Sequence, residues 1–154
     1  MRSRRVPTRS AQIAYVASEL VPRAALLTRL LLRQVDAELS RTELGLLRTL
    51  SDGPRRITEL AELEGLAQPT MTILIQQLER EGLVQRERRS DDGRVVLVDL
   101  TKKGRVALEA YRERVREAIG EYLAEISDEQ VDQLAAATET LAQLVTLLQQ
   151  QPIR

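Results

Sequence analysis

Apolar residues in the first part of the chain recur with the period of an α-helix. Between Ser10 and about Leu39 they line up on one broad face, which is typical of an amphipathic helix. The residues of this face are Leu26, Leu27, Leu30, Leu31 and Val35. Pro22 lies inside the run and has no N–H donor, so it predicts a new helical turn or a kink at that point.

Two short helices are predicted next. Ser40 and Glu43 have the spacing of a capping box, which begins the first of them. Thr58 is a suitable N-cap for the second, and Gly65 interrupts the pattern after it. The inward residues are expected to be Leu44, Leu47 and Leu50 in the first helix, and Leu60, Ala61 and Leu63 in the second.

A third helix follows, and its two sides differ in chemistry. Pro69 suits the first position of a helix that runs to about Glu81, and Gly82 can adopt the left-handed conformation that ends a helix. The apolar side consists of Met71, Leu74, Ile75 and Leu78. The opposite side is expected to present Gln68, Thr72, Gln76 and Arg80.

The period then changes from helical to alternating. After Leu83, the residues Val84, Arg86 and Arg88 alternate with Gln85, Glu87 and Arg89, and residues 95–98 form a short and mostly β-branched segment. The sequence Ser-Asp-Asp-Gly at residues 90–93 lies between these segments and is a turn signal. A β-hairpin is therefore predicted over residues 83–100.

Two longer helices complete the predicted elements. Thr101 can cap a helix that runs to about Ile126. Ser127 and Gln130 form a second capping box, which opens a last helix to about Gln150. The fold class is therefore mostly α with a small β-hairpin wing.

Composition narrows the classes of function. The chain has no Cys and no His, and three Tyr are its only aromatic residues. These absences remove thiolate chemistry, the commonest general base and the commonest metal ligand. We therefore expect neither an enzyme nor a metal or cofactor site. No apolar run approaches the roughly 20 residues needed to cross a bilayer, so a cytoplasmic protein without membrane association is expected.

Charge is balanced overall but unevenly placed. The chain has 23 basic and 23 acidic residues. The net charge is +6 over residues 1–33, −2 over 34–54, +1 over 55–105 and −5 over 106–154. A basic beginning and an acidic end favour one surface that meets an anion, although scattered charges on solvated helices have the same sum.

Two short helices, an amphipathic third helix and a hairpin, in that order, are typical of a winged helix-turn-helix. Several motifs between residues 42 and 104 strongly resemble those of the MarR family of bacterial transcription regulators. They are Thr42-Glu43-Leu44, Ile57-Thr58-Glu59-Leu60-Ala61, Gln68-Pro69-Thr70-Met71-Thr72, Leu78-Glu79-Arg80-Glu81-Gly82-Leu83-Val84, Asp91-Asp92-Gly93-Arg94 and Leu100-Thr101-Lys102-Lys103-Gly104. The flanking helices match only in length and amphipathicity.

The resemblance implies a homodimer in which the outer helices intertwine. Residues 1–39 would form a basic tail and a dimerisation helix, 40–104 the winged helix-turn-helix, and 105–154 the C-terminal dimerisation helices. The winged domains would bind a pseudo-palindromic operator in double-stranded DNA as a repressor. In many members a small ligand relieves repression. Because Cys and His are absent, an effector here would be a small aromatic or other organic molecule.

The residues expected to contact DNA lie on the third helix and on the hairpin. Glutamine can bond adenine bidentately, threonine can contact a thymine methyl, and arginine at a hairpin tip can enter the minor groove. The predicted contacts are Gln68, Pro69, Thr70, Thr72, Ile73, Gln76 and Arg80 on the helix, and Arg88, Arg89, Asp92 and Arg94 on the hairpin. Asp92 resembles the family aspartate that positions this arginine.

Two residues depart from the family pattern. Ala67 stands where a capping Ser or Thr is common, and Ile73 stands where an Arg is common. The third helix is therefore less basic than in most members. A second interpretation stays open for this reason: a winged-helix protein-interaction module without sequence-specific DNA binding.

Overall fold

The computed structural model describes residues 8–36, 38–88 and 96–150, apart from the side chain of Arg88. Within these ranges it has six helices and three strands. The helices are α1 (Arg9–Leu31), α2 (Arg41–Ser51), α3 (Ile57–Leu63), α4 (Gln68–Arg80), α5 (Lys102–Leu123) and α6 (Asp128–Gln149). The strands are β1 (Arg55–Arg56), β2 (Val84–Arg88) and β3 (Val96–Leu100). The predicted mostly α fold with a small β wing is confirmed.

The first helix ends earlier than the apolar pattern predicts. α1 continues through Pro22 but stops at Leu31, not near Leu39. The amide of Gln34 bonds the Leu31 carbonyl at 2.9 Å, a tighter turn that breaks the α-helical ladder. Val35, predicted on the helical face, is buried in this turn. The apolar spacing persists past the helix end because the same residue types serve the turn.

α2 begins with the predicted capping box. The Ser40 amide donates to the Glu43 carboxylate at 2.6 Å, and the Glu43 amide donates to the Ser40 hydroxyl at 3.3 Å. These bonds satisfy two amides that the first turn leaves without helical partners. The helix buries the three predicted leucines and a fourth, which are Leu44, Leu46, Leu47 and Leu50.

The prediction for α3 is wrong at two positions. The helix begins at Ile57, and the residue that caps it is Arg56 rather than Thr58. Its amide donates to the Glu59 carboxylate at 3.1 Å, so the glutamate three residues on supplies the cap. Leu63 was expected to face inward but is 55% exposed.

α4 ends at a glycine in the left-handed conformation, as predicted. Gly82 has φ 72°, and its amide bonds the Glu79 carbonyl at 3.0 Å. The Leu83 amide bonds the Leu78 carbonyl at 2.9 Å, so the pair of bonds is a Schellman motif. Pro69 is the second helical residue rather than the first, which its missing N–H also allows.

The hairpin belongs to a three-stranded antiparallel sheet with the order β1-β3-β2. β2 pairs with β3 in a register that sets Val84 opposite Leu100 and Arg88 opposite Val96. β1 pairs along the other side of β3 and was not predicted. Two residues are too few to show an alternating pattern, so only the long-range pairing identifies this strand.

One hydrophobic core holds α2, α3, α4 and the sheet together, with Leu108 of α5 added. Its buried residues are Leu46, Leu47, Leu50, Leu60, Ala61, Met71, Ile75, Leu78, Leu83, Val84, Val98, Leu100 and Leu108. All of the largest fully buried side chains belong to this set. The core fixes α4 by one side and leaves its other side to solvent.

The chain divides into two compact units, Met1–Val115 and Arg116–Arg154, with the division inside α5. The second unit contains the predicted capping box, in which the Ser127 amide donates to the Gln130 side chain at 3.1 Å. α1 and α6 bury no residue within the single chain. No helix in the described ranges is long and apolar enough to span a membrane. The predicted division at residues 39 and 104 stays a prediction.

Candidate nucleic-acid interface

The outward side of α4 is a continuous exposed surface. Met71, Ile75 and Leu78 are buried, and the helix turns about 100° per residue. The residues that fall on the opposite stripe are Pro69, Ile73, Gln76 and Arg80, all of them exposed. Of the other predicted contacts, Gln68 and Thr70 are exposed near the start of the helix. The structure therefore brings most of the predicted helix residues onto one face.

Thr72 is placed differently from the prediction. It is half-buried at the flank of the face, and its hydroxyl donates to the Gln68 carbonyl at 2.9 Å. Arg80 also folds back on its own helix, because its Nε donates to the Gln76 carbonyl at 3.3 Å. Within the described residues, the side-chain amides of Gln68 and Gln76 make no hydrogen bond, so both can bond an external partner.

The helix that carries this outward face has almost no net charge. Glu79 and Arg80 are the only charged residues of α4, and they cancel. Glu79 is also paired across to β2, where its Oε2 lies 3.4 Å from the Nε of Arg86. An attraction of α4 for a polyanion therefore has to come from neighbouring elements.

The hairpin half of the predicted site stays a prediction. Arg88 is the last residue of β2, but its side chain is not described. Arg89, Asp92 and Arg94 lie outside the described residues altogether. In the sequence they lie between Arg88 and Val96, which pair with each other across β2 and β3.

A side-chain hydrogen bond between Gln77 and Glu43, which the sequence did not predict, connects α4 to α2. The Gln77 Nε2 donates to the Glu43 Oε1 at 2.9 Å and to the Glu81 Oε1 at 3.3 Å. Glu43 is buried, and its other oxygen accepts the capping bond from Ser40. A capping box was predicted at Glu43, but no local pattern could reveal a partner in a distant helix.

The end of α4 is also fixed to the start of α5. Lys103 Nζ donates to the Glu81 carbonyl at 2.7 Å, and the Thr101 hydroxyl donates to the Gly82 carbonyl at 2.6 Å. At Gly104, a Cβ would lie 2.0 Å from the Leu83 carbonyl oxygen, so only glycine allows this approach. The Thr-Lys-Lys-Gly motif was interpreted as a helix cap, and the Gly104 amide does donate to the Thr101 hydroxyl at 3.0 Å.

A cleft of about 520 Å³ lies beside this junction. Its apolar lining includes Leu39, Leu44, Leu83, Ala107 and Tyr111. Charged residues at the cleft are Glu38, Glu81, Lys103 and Arg114. The volume is in the usual range of small-molecule sites, and its apolar walls suit an organic molecule, while the two cations are balanced by two carboxylates.

Several known proteins are similar to this chain in sequence or in structure. The sequence model of the MarR family matches residues 39–96, which run from α2 to the first residue of β3. The chain is 26% identical to a MarR family protein from Bacillus stearothermophilus, with a TM-score of 0.72 over 91% of this chain and 99% of that one. Residues 39–96 thus match the MarR family, and the chain is similar in fold to a solved MarR family protein.

Two further relatives extend this result. The HTH-type transcriptional regulator YpoP of Bacillus subtilis (strain 168) is 31% identical over 84 residues, which are 54% of this chain and 60% of that protein. The transcriptional regulator Tm0710 of Thermotoga maritima has a TM-score of 0.67 and covers 92% of this chain and 99% of its own. At 22% identity it shows that the two proteins share a fold.

Proposed function

We propose that this protein is a MarR family member and a dimeric, DNA-binding regulator of transcription. It acts as a cytoplasmic repressor that occupies a pseudo-palindromic operator. One observation carries the proposal: a helix fixed at its core side and at its C-terminal end presents an outward face with the unbonded amide of Gln76, and the exposed Gln68 lies at its start. The names of the Bacillus subtilis and Thermotoga maritima relatives, both called transcriptional regulators, point in the same direction.

α4 is the element proposed to enter the major groove. A glutamine amide offers one donor and one acceptor, which match the N6 and N7 atoms of adenine. Gln68 and Gln76 keep this capacity because nothing in the described residues uses it. The bonds from Gln77 and Lys103 hold the helix in place, so little ordering is left for the moment of binding.

The hairpin is proposed to supply the attraction for phosphate that α4 lacks. Arg88 and Arg89 suit phosphate contacts, and Arg94 suits the minor groove, with Asp92 positioning it. The neutral glutamines of α4 and the arginines of the hairpin would therefore have different roles. Base contacts would set specificity, and the cations would set overall affinity and its dependence on salt.

The long outer helices support the homodimer. α1 exposes Ile13, Val16, Leu26, Leu27 and Leu30, and α6 exposes Leu134, Leu141, Leu144, Leu147 and Leu148. A single chain does not leave so much apolar surface in water without reason. Burial across a two-fold axis covers both sets and places two winged regions on one DNA.

The cleft beside Lys103 is the proposed effector site. An aromatic acid can lay its ring on Leu44, Leu83 and Tyr111 and direct its carboxylate to Lys103 or Arg114. Lys103 already bonds the last carbonyl of the α4 end. A ligand that takes over this ammonium group would loosen the end of α4 and thereby weaken DNA binding.

Selection from a random double-stranded DNA library tests the function. We expect a pseudo-palindromic motif, and a fluorescence titration should give tighter binding to it than to random duplex at two salt concentrations. Binding of equal strength to both sequences, or no binding, would favour the protein-interaction module instead. Aromatic acids added to the preformed complex should release the DNA, and Lys103→Gln should reduce this response.

A further inference from the structure

Ile73 is the most exposed large hydrophobic residue of the winged region's helices α2 to α4. It is 63% exposed and lies on the outward stripe of α4, with Gln76 one turn further on. It takes no part in the core, whose α4 members are Met71, Ile75 and Leu78. A β-branched residue with no packing role has no structural advantage at an exposed helical position.

The neighbours of Ile73 limit what this part of the helix can do. The Thr72 hydroxyl and the Arg80 Nε are both bonded to carbonyls of α4 itself. Gln77 is bonded to Glu43 and Glu81. The middle of the stripe therefore offers the apolar side chain of Ile73 with the unbonded amide of Gln76 one turn further on, and Arg80 is the one charged residue of this stripe of α4.

The major groove contains one apolar feature that fits such a surface. Thymine alone carries a 5-methyl group there, while the other bases present only hydrogen-bond donors and acceptors at their edges. Residues three apart on a helix are separated by about 4.5 Å along its axis, close to the spacing of adjacent base pairs. Ile73 and Gln76 can thus contact neighbouring pairs.

We infer that Ile73 is a specificity-determining residue that recognises a thymine through its 5-methyl group. This inference rests on the proposed function, since it requires α4 to lie in the major groove. With Gln76 directed to adenine, the helix is specialised for a half-site whose centre consists of A·T pairs. Where an arginine would attract phosphate in any sequence, Ile73 instead discriminates between bases.

Replacement of single thymines by deoxyuridine in the selected operator tests the inference. This change removes the methyl group and keeps every hydrogen-bonding group of the base. One thymine in each half-site should be sensitive to this change. Replacing it in one half-site should lower the affinity of the wild-type protein about fourfold, and replacing it in both half-sites about fifteenfold. The Ile73→Ala protein should bind the thymine and uracil operators equally.

Gln76→Ala is the matched control. It should bind the operator more weakly but keep the same thymine-to-uracil ratio at the position that Ile73 contacts. Thermal unfolding of Ile73→Ala should match that of the wild type because the side chain is exposed. Any loss of discrimination then belongs to the DNA contact.

The possible failures can be told apart. A selection that yields no motif overturns the proposed function and the inference with it. A clear motif in which no thymine is sensitive to loss of its methyl overturns the inference alone. The same holds if Ile73→Ala keeps the wild-type sensitivity to uracil.

Discussion

The winged region and the long outer helices of this chain use apolar residues in opposite ways. Around α2, α3, α4 and the sheet, leucines such as Leu46, Leu47 and Leu50 are completely buried. Along α1 and α6, residues of the same type stand in solvent, and neither helix buries a single residue. The winged region therefore has its core within one chain, whereas the outer helices leave their apolar residues uncovered in the single chain.

The comparison also separates two kinds of exposed apolar residue. The leucines of α6 repeat on one side of a long helix and form a continuous patch, which is suited to another helix. Ile73 stands alone among polar neighbours on α4, which is suited to a small apolar group on a polar partner. The same property, exposure, thus points to a protein partner in one place and to DNA in the other.

The largest expected effect comes from a charge in the α6 patch. Leu141→Glu changes a residue that is 39% exposed in the single chain and is proposed to be buried in the dimer. Loss of the two symmetry-related leucines should weaken association by about 3–6 kcal/mol, from about 1.5–3 for each. Sedimentation should show dissociation into monomers or aggregation. Gln143→Glu, on the opposite side of α6, is the control, and an equal response from both would contradict the dimer.

The core of the winged region should respond nearly as strongly. Leu47→Ala empties a fully buried position and should lower the free energy of unfolding by about 2–5 kcal/mol. Leu63→Ala, at a position that is 55% exposed, should change it by less than about 0.5 kcal/mol. Chemical denaturation of both variants measures the difference. Similar losses would mean that the winged core is not where stability resides.

α5 contains two glycines, one at its junction with α4 and one further along the helix. Gly104→Ala forces a Cβ against the Leu83 carbonyl and should destabilise the protein by about 1–3 kcal/mol. Gly120→Ala meets no atom within 4 Å in the single chain and should stabilise α5 by up to about 1 kcal/mol. Opposite signs are expected in thermal unfolding. A destabilising Gly120→Ala would instead indicate that the partner chain packs closely there.

The last prediction concerns the reading of bases. Gln76→Ala should lower operator affinity by about 1–3 kcal/mol for each half-site contact and leave random-sequence affinity nearly constant. Arg88→Ala should lower both affinities together, because a phosphate contact does not depend on sequence. Titrations with operator and random duplex compare the two variants. If Gln76→Ala lowered both equally, α4 would not be reading bases.

Much of this architecture follows from local patterns. The capping boxes at Ser40 and Ser127 and the left-handed Gly82 are set by residues within one helical turn, so the sequence predicts them correctly. The early end of α1 and the exposed Leu63 depend on which surface an apolar residue meets, which periodicity does not record.

The candidate site was predicted in the same uneven way. The outward face of α4 follows from helical geometry once the core side is known, so Gln76 and Arg80 were placed on it from the sequence, whereas Ile73 was not. The bonds that hold the helix could not, because Gln77 meets Glu43 and Lys103 meets Glu81 only after the chain has folded. Strand β1 was missed for the same reason.

The central claim is that the outer helices pair two chains so that two copies of α4 read one operator at a fixed spacing. The direct test is the affinity for the selected operator after five base pairs, half a helical turn, are inserted between its half-sites. The account predicts that affinity falls at least about 30-fold, because one of the two half-sites must be released. If both half-sites contribute equally to a specificity of about a thousandfold, each contributes its square root, which is about 30-fold. Substitution of the base pairs between the half-sites, without any insertion, should change the affinity little. Undiminished affinity for the lengthened operator would contradict the account.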